Sequence, residues 1–211
     1  MTFADRAEAG RALARRVAAL SLEDRRGPLV LALPRGGVPV AVPVVAETGG
    51  ELDVVIARKI GAPGQPELGI GALAEDGPPL VDRAAMAHLG VTDDDLAPVV
   101  GRERAELARR TRLYRGDRPA PRVTGRAVVV VDDGLATGVT AVAALRWVRA
   151  GGPSRLVMAV PVGSRPACAA VARVADDVVC LRTPRRFRAV GRWYHDFSQL
   201  TDADVVRALA G

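Results

Sequence analysis

Short apolar segments alternate along the chain with longer segments of helical character, and this alternation limits the possible folds more than any other feature. The apolar segments are residues 28–34, 52–59, 127–131, 156–162 and 178–181. Most of them are rich in β-branched residues and do not alternate between apolar and polar positions, which is typical of strands buried on both faces. We therefore expect an α/β fold with a doubly wound parallel sheet, and ligands at the carboxyl ends of its strands.

Several classes of protein are excluded by simple patterns. The longest apolar run, Val38 to Ala46, is interrupted by two prolines and is shorter than the roughly 20 residues that a membrane span requires. The charged amino terminus lacks the apolar core of a secretory signal, so we expect a cytoplasmic protein without a membrane partner. Cys168 and Cys180 are isolated and form no CxxC motif, which argues against a disulfide framework or a zinc site.

The chain carries a formal net charge of +6, and 29 of its 30 basic residues are arginine. The arginines are scattered and accompanied by acidic residues, so the charge predicts no nucleic-acid partner and is typical of a compositional bias towards arginine. The single lysine, Lys59, indicates a position where a guanidinium does not substitute for an ammonium group.

The most informative motif is VVVVDDGLATGVT, residues 128–140. It describes a buried strand that ends in two adjacent carboxylates, followed by a loop of small and hydroxyl-bearing residues and then by a helix. The loop amides and the helix amino terminus form a cradle for an anion. Carboxylates beside such a cradle suit a sugar phosphate, whose hydroxyl groups or associated metal they can bind. The alternative is an ordinary strand-to-helix turn in which Asp132 and Asp133 cap the helix.

This motif resembles the phosphoribosyl pyrophosphate loop of the type I phosphoribosyltransferases, and the order of elements resembles that family from about Pro28 to Leu181. The resemblance implies transfer of a 5-phosphoribosyl group to a nucleobase-like acceptor, with release of pyrophosphate and with Mg²⁺ on the donor. It implies that Asp132 and Asp133 hold the ribose hydroxyls, steady the developing positive charge and bind the metal. The remaining donor-binding residues of the motif would be Gly134, Leu135, Ala136, Thr137, Gly138, Val139 and Thr140.

Two further segments fit the resemblance. Arg35, Gly36 and Gly37 follow the first strand, where the family keeps a pyrophosphate-binding loop, although a plain strand-to-helix turn would look similar. Arg58 and Lys59 precede a glycine-rich segment, residues 61–77, which we expect to be a long mobile loop with room for a short strand at residues 70–73. The resemblance makes this segment a catalytic lid, with Arg58 and Lys59 neutralising the departing pyrophosphate; the alternative is a solvated strand end.

The sequence departs from the family pattern at two positions. Gly134 stands where the family usually has an apolar residue, and Ala136 stands where the hypoxanthine-guanine enzymes have an acidic general base. The adenine enzymes instead take a glutamate from the end of the flexible loop. That comparison makes Glu75 a candidate acid or base, with Glu67 as its rival.

The acceptor site is expected in a hood over the carboxyl ends of the strands. Residues 183–200 contain four of the seven aromatic residues, and we expect Phe187, Trp193 and Asp196 to contact the acceptor. The same aromatic side chains could equally anchor a carboxyl-terminal tail. The helical segment 82–116 would form the rest of the hood or a dimer contact. We expect one domain over residues 1–211, with a core at about 28–181, acting as a homodimer.

Three functions remain open at this point. The first is a Mg²⁺-dependent phosphoribosyltransferase whose partners are phosphoribosyl pyrophosphate and a small heterocyclic acceptor. The second is a regulator on the same fold that senses phosphoribosyl pyrophosphate and binds nucleic acid. The third is a phosphohydrolase that uses Asp132 and Asp133 to bind metal.

Overall fold

The computed structural model describes residues 2–22, 24 and 26–210. The predicted domain, residues 1–211, includes four positions that lie outside the described residues: Met1, Glu23, Arg25 and Gly211. The helices are α1 (Arg6–Ala18), α2 (Gly37–Thr48), α3 (Arg83–Leu89), α4 (Asp93–Arg115), α5 (Val139–Ala150), α6 (Arg165–Val171) and α7 (Asp202–Ala210). The strands are β1 (Leu29–Ala32), β2 (Glu51–Val54), β3 (Ala57–Ala62), β4 (Gln65–Ala74), β5 (Leu80–Val81), β6 (Ala127–Val131), β7 (Arg155–Val162) and β8 (Asp177–Arg182).

Five strands form a parallel sheet in the order β2-β1-β6-β7-β8. From β1 the chain moves outward to β2, and from β6 it moves outward in the other direction to β7 and β8. The order therefore reverses between β1 and β6, which are hydrogen-bonded neighbours. In open α/β sheets the crevice at such a switch point is the usual place for a ligand.

The central strand β6 supplies side chains to two hydrophobic cores, one on each face of the sheet. Val129 and Val131 belong to the core shared with α1 and α2, whereas Val128 and Val130 belong to the core shared with α5 and α6. All four valines are fully buried. A run without polar alternation is what such a strand requires, and the predicted parallel α/β fold is confirmed.

The first helix lies before the predicted core and packs closely against α2. The Asp5 side chain caps α1 by accepting a hydrogen bond from the Glu8 amide, at 2.7 Å. A Cβ at Gly10 would lie 2.6 Å from the Val40 carbonyl oxygen, so only glycine permits this approach of the two helices. The amino-terminal segment is thus held firmly against the body of the protein.

The prediction of a long mobile loop over residues 61–77 is wrong. Most of that segment is strand β4, which pairs antiparallel with β3 and β5 in a second, three-stranded sheet. Gly64 forms the turn with a φ of +76°, and a Cβ at Gly71 would lie 2.4 Å from the Leu80 carbonyl oxygen. The glycines therefore serve a tight turn and a close strand approach, and the expected strand at residues 70–73 is part of β4.

The strand predicted over residues 52–59 is divided between the two sheets. Strand β2 ends at Val54 and strand β3 begins at Ala57, and the two intervening residues carry the chain from one sheet to the other. The predicted helical segment 82–116 likewise contains two helices, α3 and α4. A capping box between Thr92 and Asp95 begins α4.

Candidate active site

Two loops meet at the switch point of the main sheet. The first follows β1 and contains Gly36 and Gly37; the second follows β6 and contains Asp132 and Asp133. A Cβ at Gly36 would lie 2.0 Å from Asp133 Oδ2, and a Cβ at Gly37 would lie 2.4 Å from the Val131 carbonyl oxygen. The structure therefore brings the predicted pyrophosphate loop into direct contact with the predicted acidic pair.

The two carboxylates are half-buried and have few hydrogen-bond partners. Burial raises the pKa of Asp132 well above its ordinary value, and the neighbouring Asp133 carboxylate raises it further. Burial also raises the pKa of Asp133, but a hydrogen bond from Arg6 opposes that rise. Such a pair is stabilised by hydroxyl donors or by a cation, because either one relieves the repulsion between the two charges.

Arg6 was not predicted to belong to the site. Its Nε donates to Asp133 Oδ2 at 2.8 Å, and its Nη1 donates to the Ser198 carbonyl oxygen at 3.0 Å. Tyr194 also contacts the acidic loop, since its hydroxyl donates to the Asp133 carbonyl oxygen at 2.6 Å. Arg6 begins α1 and Tyr194 lies in the segment between β8 and α7, and these two parts of the chain lie side by side at the carboxyl end of the sheet.

The loop after the acidic pair is supported from β7 and α6. Leu135 pairs with Gly163, and the Ser164 hydroxyl donates to the Ala136 carbonyl oxygen at 2.7 Å. Gly138 adopts a φ of +77° as the amino-terminal cap of α5. This conformation leaves the first amides of a twelve-residue helix free of any side-chain cap, as an anion site requires.

A cavity of about 250 Å³ adjoins this loop. Thr137, Gly138 and Val139 form one wall, and Gly69 and Gly71 of β4 are part of the opposite wall. The predicted anion-binding residues therefore lie beside a space of molecular size, which the second sheet helps to enclose.

The three basic candidates are each paired with an acidic residue. Arg35 lies 3.9 Å from Asp202 of α7, and Arg58 forms a 2.8 Å ion pair with Glu103 of α4. Lys59 Nζ lies 3.9 Å from a carboxylate oxygen of Glu67, the rival acid or base. Arg35 directly precedes Gly36 and Gly37, which contact the acidic loop. Arg58 and Lys59 border a separate cleft between β3 and α4.

Glu75 is engaged in the interior of the protein. It is 7% exposed, and its two carboxylate oxygens accept hydrogen bonds from Arg115 at 3.1 and 3.2 Å. One of these oxygens also accepts from the Ile56 amide at 2.9 Å. With both oxygens occupied, this carboxylate holds the second sheet against α4. The predicted role of Glu75 as an acid or base would require this ion pair to open.

The aromatic candidates lie in a small cluster at the same end of the sheet. Phe187 and Trp193 are half-buried against a core that contains Phe3 and Tyr194. Asp196 is exposed, and one of its carboxylate oxygens accepts from the Ser198 amide at 2.9 Å. These contacts give Phe187 and Trp193 an anchoring role, and their contact with an acceptor stays a prediction.

Sequence reasoning missed the amino-terminal half of this cluster. The Phe3 amide donates to the Trp193 carbonyl oxygen at 2.8 Å, and the His195 amide donates to the Phe3 carbonyl oxygen at 2.8 Å. The one available signal was Phe3 itself, a solitary aromatic residue next to a charged helix. It is 5% exposed and packs on Tyr194.

Asp132 and Asp133 are the side chains of this site that could hold a metal. In the described part of the chain, no three His, Cys, Asp or Glu side chains come together as a metal-binding group. Asp132 and Asp133 offer oxygen ligands of the kind that Mg²⁺ prefers, and Mg²⁺ is commonly held by one or two carboxylates together with substrate phosphates. The acidic pair thus fits a metal that arrives with a phosphorylated ligand.

The acidic pair at the switch point, the glycine loop in contact with it and the uncapped helix amino terminus together form an α/β site of a kind suited to a phosphorylated ligand. Comparison with known proteins identifies the family: residues 4–196 match the model of the phosphoribosyl transferase domain. The chain belongs to the phosphoribosyltransferase family.

Relatives of known sequence and structure agree with this result. "Putative phosphoribosyl transferase Rv0571c" from Mycobacterium tuberculosis is 44% identical over 207 residues, which are 98% of this chain and 46% of the relative. The chain thus spans about half the length of the curated relatives it matches. The crystal structure of TT1426 from Thermus thermophilus is 46% identical with a TM-score of 0.83, covering 99% of this chain and 98% of that one.

A more distant neighbour shows the fold alone. It is a Neisseria gonorrhoeae protein solved with bound ppGpp, 13% identical with a TM-score of 0.53, covering 100% of this chain and 97% of that one. No helix in the described ranges is both long enough and apolar enough to cross a membrane.

Proposed function

We propose that this chain transfers the 5-phosphoribosyl group of phosphoribosyl pyrophosphate to a small heterocyclic acceptor and releases pyrophosphate. The observation that carries the proposal is the contact of the Gly36 loop with the Asp132–Asp133 pair at the switch point. This contact joins a place for pyrophosphate to a place for a ribose, and the family match supports the same reading.

The acidic pair would bind the ribose. Carboxylates accept hydrogen bonds from the 2- and 3-hydroxyls, and their negative charge favours the positive charge that develops when the bond from C1 to pyrophosphate breaks. Both residues stand directly after the most buried strand of the sheet, so their backbone positions are preset. Such preorganisation is what lowers the barrier in a site of this kind.

The two ends of the donor would be held by two sets of amides. The amino terminus of α5, together with the hydroxyls of Thr137 and Thr140, would bind the 5-phosphate. The turn at Gly36 and Gly37, with Arg35 beside it, would bind the pyrophosphate. Arg58 and Lys59 would neutralise the pyrophosphate as it departs, which requires the second sheet to bring them towards the donor.

Mg²⁺ fits this arrangement as a companion of the donor. Asp132 and Asp133 are the residues that would hold it, together with oxygens of the ribose and pyrophosphate. When bound, the ion would supply charge neutralisation on the leaving pyrophosphate. The acceptor would enter beside residues 183–200, where Phe187, Trp193 and Asp196 stay our candidates for contact with it. The helical segment 82–116 would complete the hood of a single domain, and we expect the protein to act as a homodimer.

A second candidate function has a specific observation in its favour. Ala136 cannot act as a base, and both carboxylate oxygens of Glu75 are occupied by Arg115. Glu67 is then the remaining candidate acid or base. A site that binds the donor without its participation would suit a regulator that senses phosphoribosyl pyrophosphate. That regulator would bind the donor but release no pyrophosphate with any acceptor.

Two experiments test the proposal. Titration calorimetry with phosphoribosyl pyrophosphate and Mg²⁺ should show binding to the wild-type protein and none to the Asp132→Asn, Asp133→Asn double variant. A screen of pyrophosphate release over purines, pyrimidines and other flat heterocycles should then identify the acceptor. Absence of donor binding by the wild type would reject both candidate functions. Donor binding without release of pyrophosphate would favour the regulator. Phosphate release with water alone would instead indicate the phosphohydrolase.

A further inference from the structure

The segment before α1 and the segment before α7 join into one structure beside the acidic pair. We call this structure the terminal clasp and define it as residues 2–6 together with residues 193–198. Three backbone hydrogen bonds of 2.8 Å connect its halves, and they involve Phe3 and Ala4 on one side and residues 193, 195 and 196 on the other. The clasp brings the first turn of α1 to the carboxyl end of β6.

Arg6 is the residue of the clasp that reaches the acidic pair. Its guanidinium donates to Asp133 Oδ2 and to the Ser198 carbonyl oxygen, and it lies over the ring of Phe197 at 3.9 Å from the centroid. Its side chain is only 11% exposed. A guanidinium suits this position because it is planar, stacks on an aromatic face and donates in fixed directions, which an ammonium group does not.

Asp133 is consequently fixed from several sides. Arg6 occupies Oδ2, the Tyr194 hydroxyl holds the backbone carbonyl, and Gly36 packs against the carboxylate. Within the described ranges the other carboxylate oxygen, Oδ1, accepts no hydrogen bond and is open to solvent. One oxygen of the carboxylate is therefore held by the protein and the other is left for a ligand.

We propose that Arg6 is a positioning residue for the ribose of the donor, holding Asp133 so that a sugar hydroxyl meets an acceptor oxygen already in place. This inference rests on the proposed function and adds the amino-terminal segment to the donor site. It assigns Arg6 to the ribose end alone, because the pyrophosphate end is built from the turn at Gly36 and Gly37. The two ends of the donor therefore provide separate probes.

The test measures three ligands by calorimetry: phosphoribosyl pyrophosphate with Mg²⁺, ribose 5-phosphate, and inorganic pyrophosphate. The Arg6→Gln variant should bind the first two up to about tenfold more weakly, because the Asp133 side chain must then be fixed when the ligand binds. Its affinity for pyrophosphate should fall much less, because the turn at Gly36 and Gly37 would hold that ligand and Arg6 acts on this turn only through Asp133. Arg6→Lys should recover part of the loss, and Arg16→Gln, an exposed arginine on the same helix, is the matched control.

The outcomes separate positioning from support of the fold. Equal losses for pyrophosphate and ribose 5-phosphate in Arg6→Gln would show a structural role and overturn the proposal, as would unchanged or tighter donor binding. Should Arg6→Gln not fold, Arg6→Lys and Phe197→Leu carry the same test, with a smaller loss expected for the ribose ligands only. Failure of the wild type to bind the donor would reject the proposed function, whereas equal donor binding by wild type and variant would reject the role of Arg6 alone.

Discussion

Replacing Gly36 by alanine tests the contact on which the site depends. The new Cβ would lie 2.0 Å from Asp133 Oδ2 and 2.5 Å from Asp133 Cγ. Ordinary van der Waals contact begins at 3.4 Å, so the carboxylate or the loop must move by about 1 Å or more. A displacement of about 1 Å in a catalytic site can reduce the rate by roughly 100-fold.

We therefore expect Gly36→Ala to lower kcat/KM for pyrophosphate release by roughly 100-fold, with most of the loss in donor affinity. The assay is pyrophosphate release at varied donor concentration, together with calorimetric binding of the donor. Gly101→Ala is the matched control, because a Cβ there meets nothing within 4 Å. A thermal melt of both variants separates loss of function from loss of the fold. A Gly36→Ala protein that binds the donor as tightly as Gly101→Ala would refute the assignment of these two loops to one site.

Four further variants have defined outcomes. Arg115→Ala should lower the free energy of unfolding by about 3–5 kcal/mol in urea titrations, because it leaves the Glu75 carboxylate buried and without its cationic partner. Glu75→Gln should leave the pH profile of turnover unchanged. A Glu75→Gln enzyme that folds but loses this pH profile would support a catalytic role for Glu75. Lys59→Ala should reduce turnover far more than donor affinity, because the ammonium is proposed to act on the departing pyrophosphate, and a loss of calorimetric affinity with unchanged turnover would contradict this. Asp132→Asn should raise the melting temperature at neutral pH, because it removes a buried charge whose pKa is raised in the folded state. The raised pKa means that protonation favours the folded wild type, so the advantage of Asp132→Asn should shrink as the pH falls through the raised pKa of Asp132. A difference in melting temperature that stays constant down to acid pH would exclude this cause.

The parts of the site that follow from local sequence were predictable. Four valines, two aspartates and the loop after them lie within thirteen residues, so the strand, the acidic pair and the helix start could be inferred together. The glycine pair at residues 36 and 37 could be connected with them through the resemblance to the family. In each of these segments, the residues that reveal the structure are adjacent in the sequence.

The missed features depend on contacts between distant parts of the chain. Arg6 and Asp133 are 127 positions apart, and nothing near Arg6 in the sequence indicates a carboxylate partner. Glu75 resembled a loop glutamate, but its partner Arg115 lies at the end of a helix 40 positions away. The glycines of residues 61–77 were interpreted as flexibility, although several of them permit close approach of paired strands, which only the three-dimensional arrangement reveals.

Strand β6 lies between two hydrophobic cores, and this position limits which part of the site can open. Amides of a strand whose side chains are buried on both faces exchange with solvent only when both layers separate, so β6 should be among the slowest exchanging segments of the protein. The second sheet is hydrogen-bonded separately from the main sheet, so its amides should exchange at a lower free energy. Hydrogen exchange should then divide the donor site into a persistent part, which carries the two aspartates and the Arg6 that holds Asp133, and a more labile part, which carries Lys59. The ribose carboxylates would then keep their place while the second sheet opens and closes beside them.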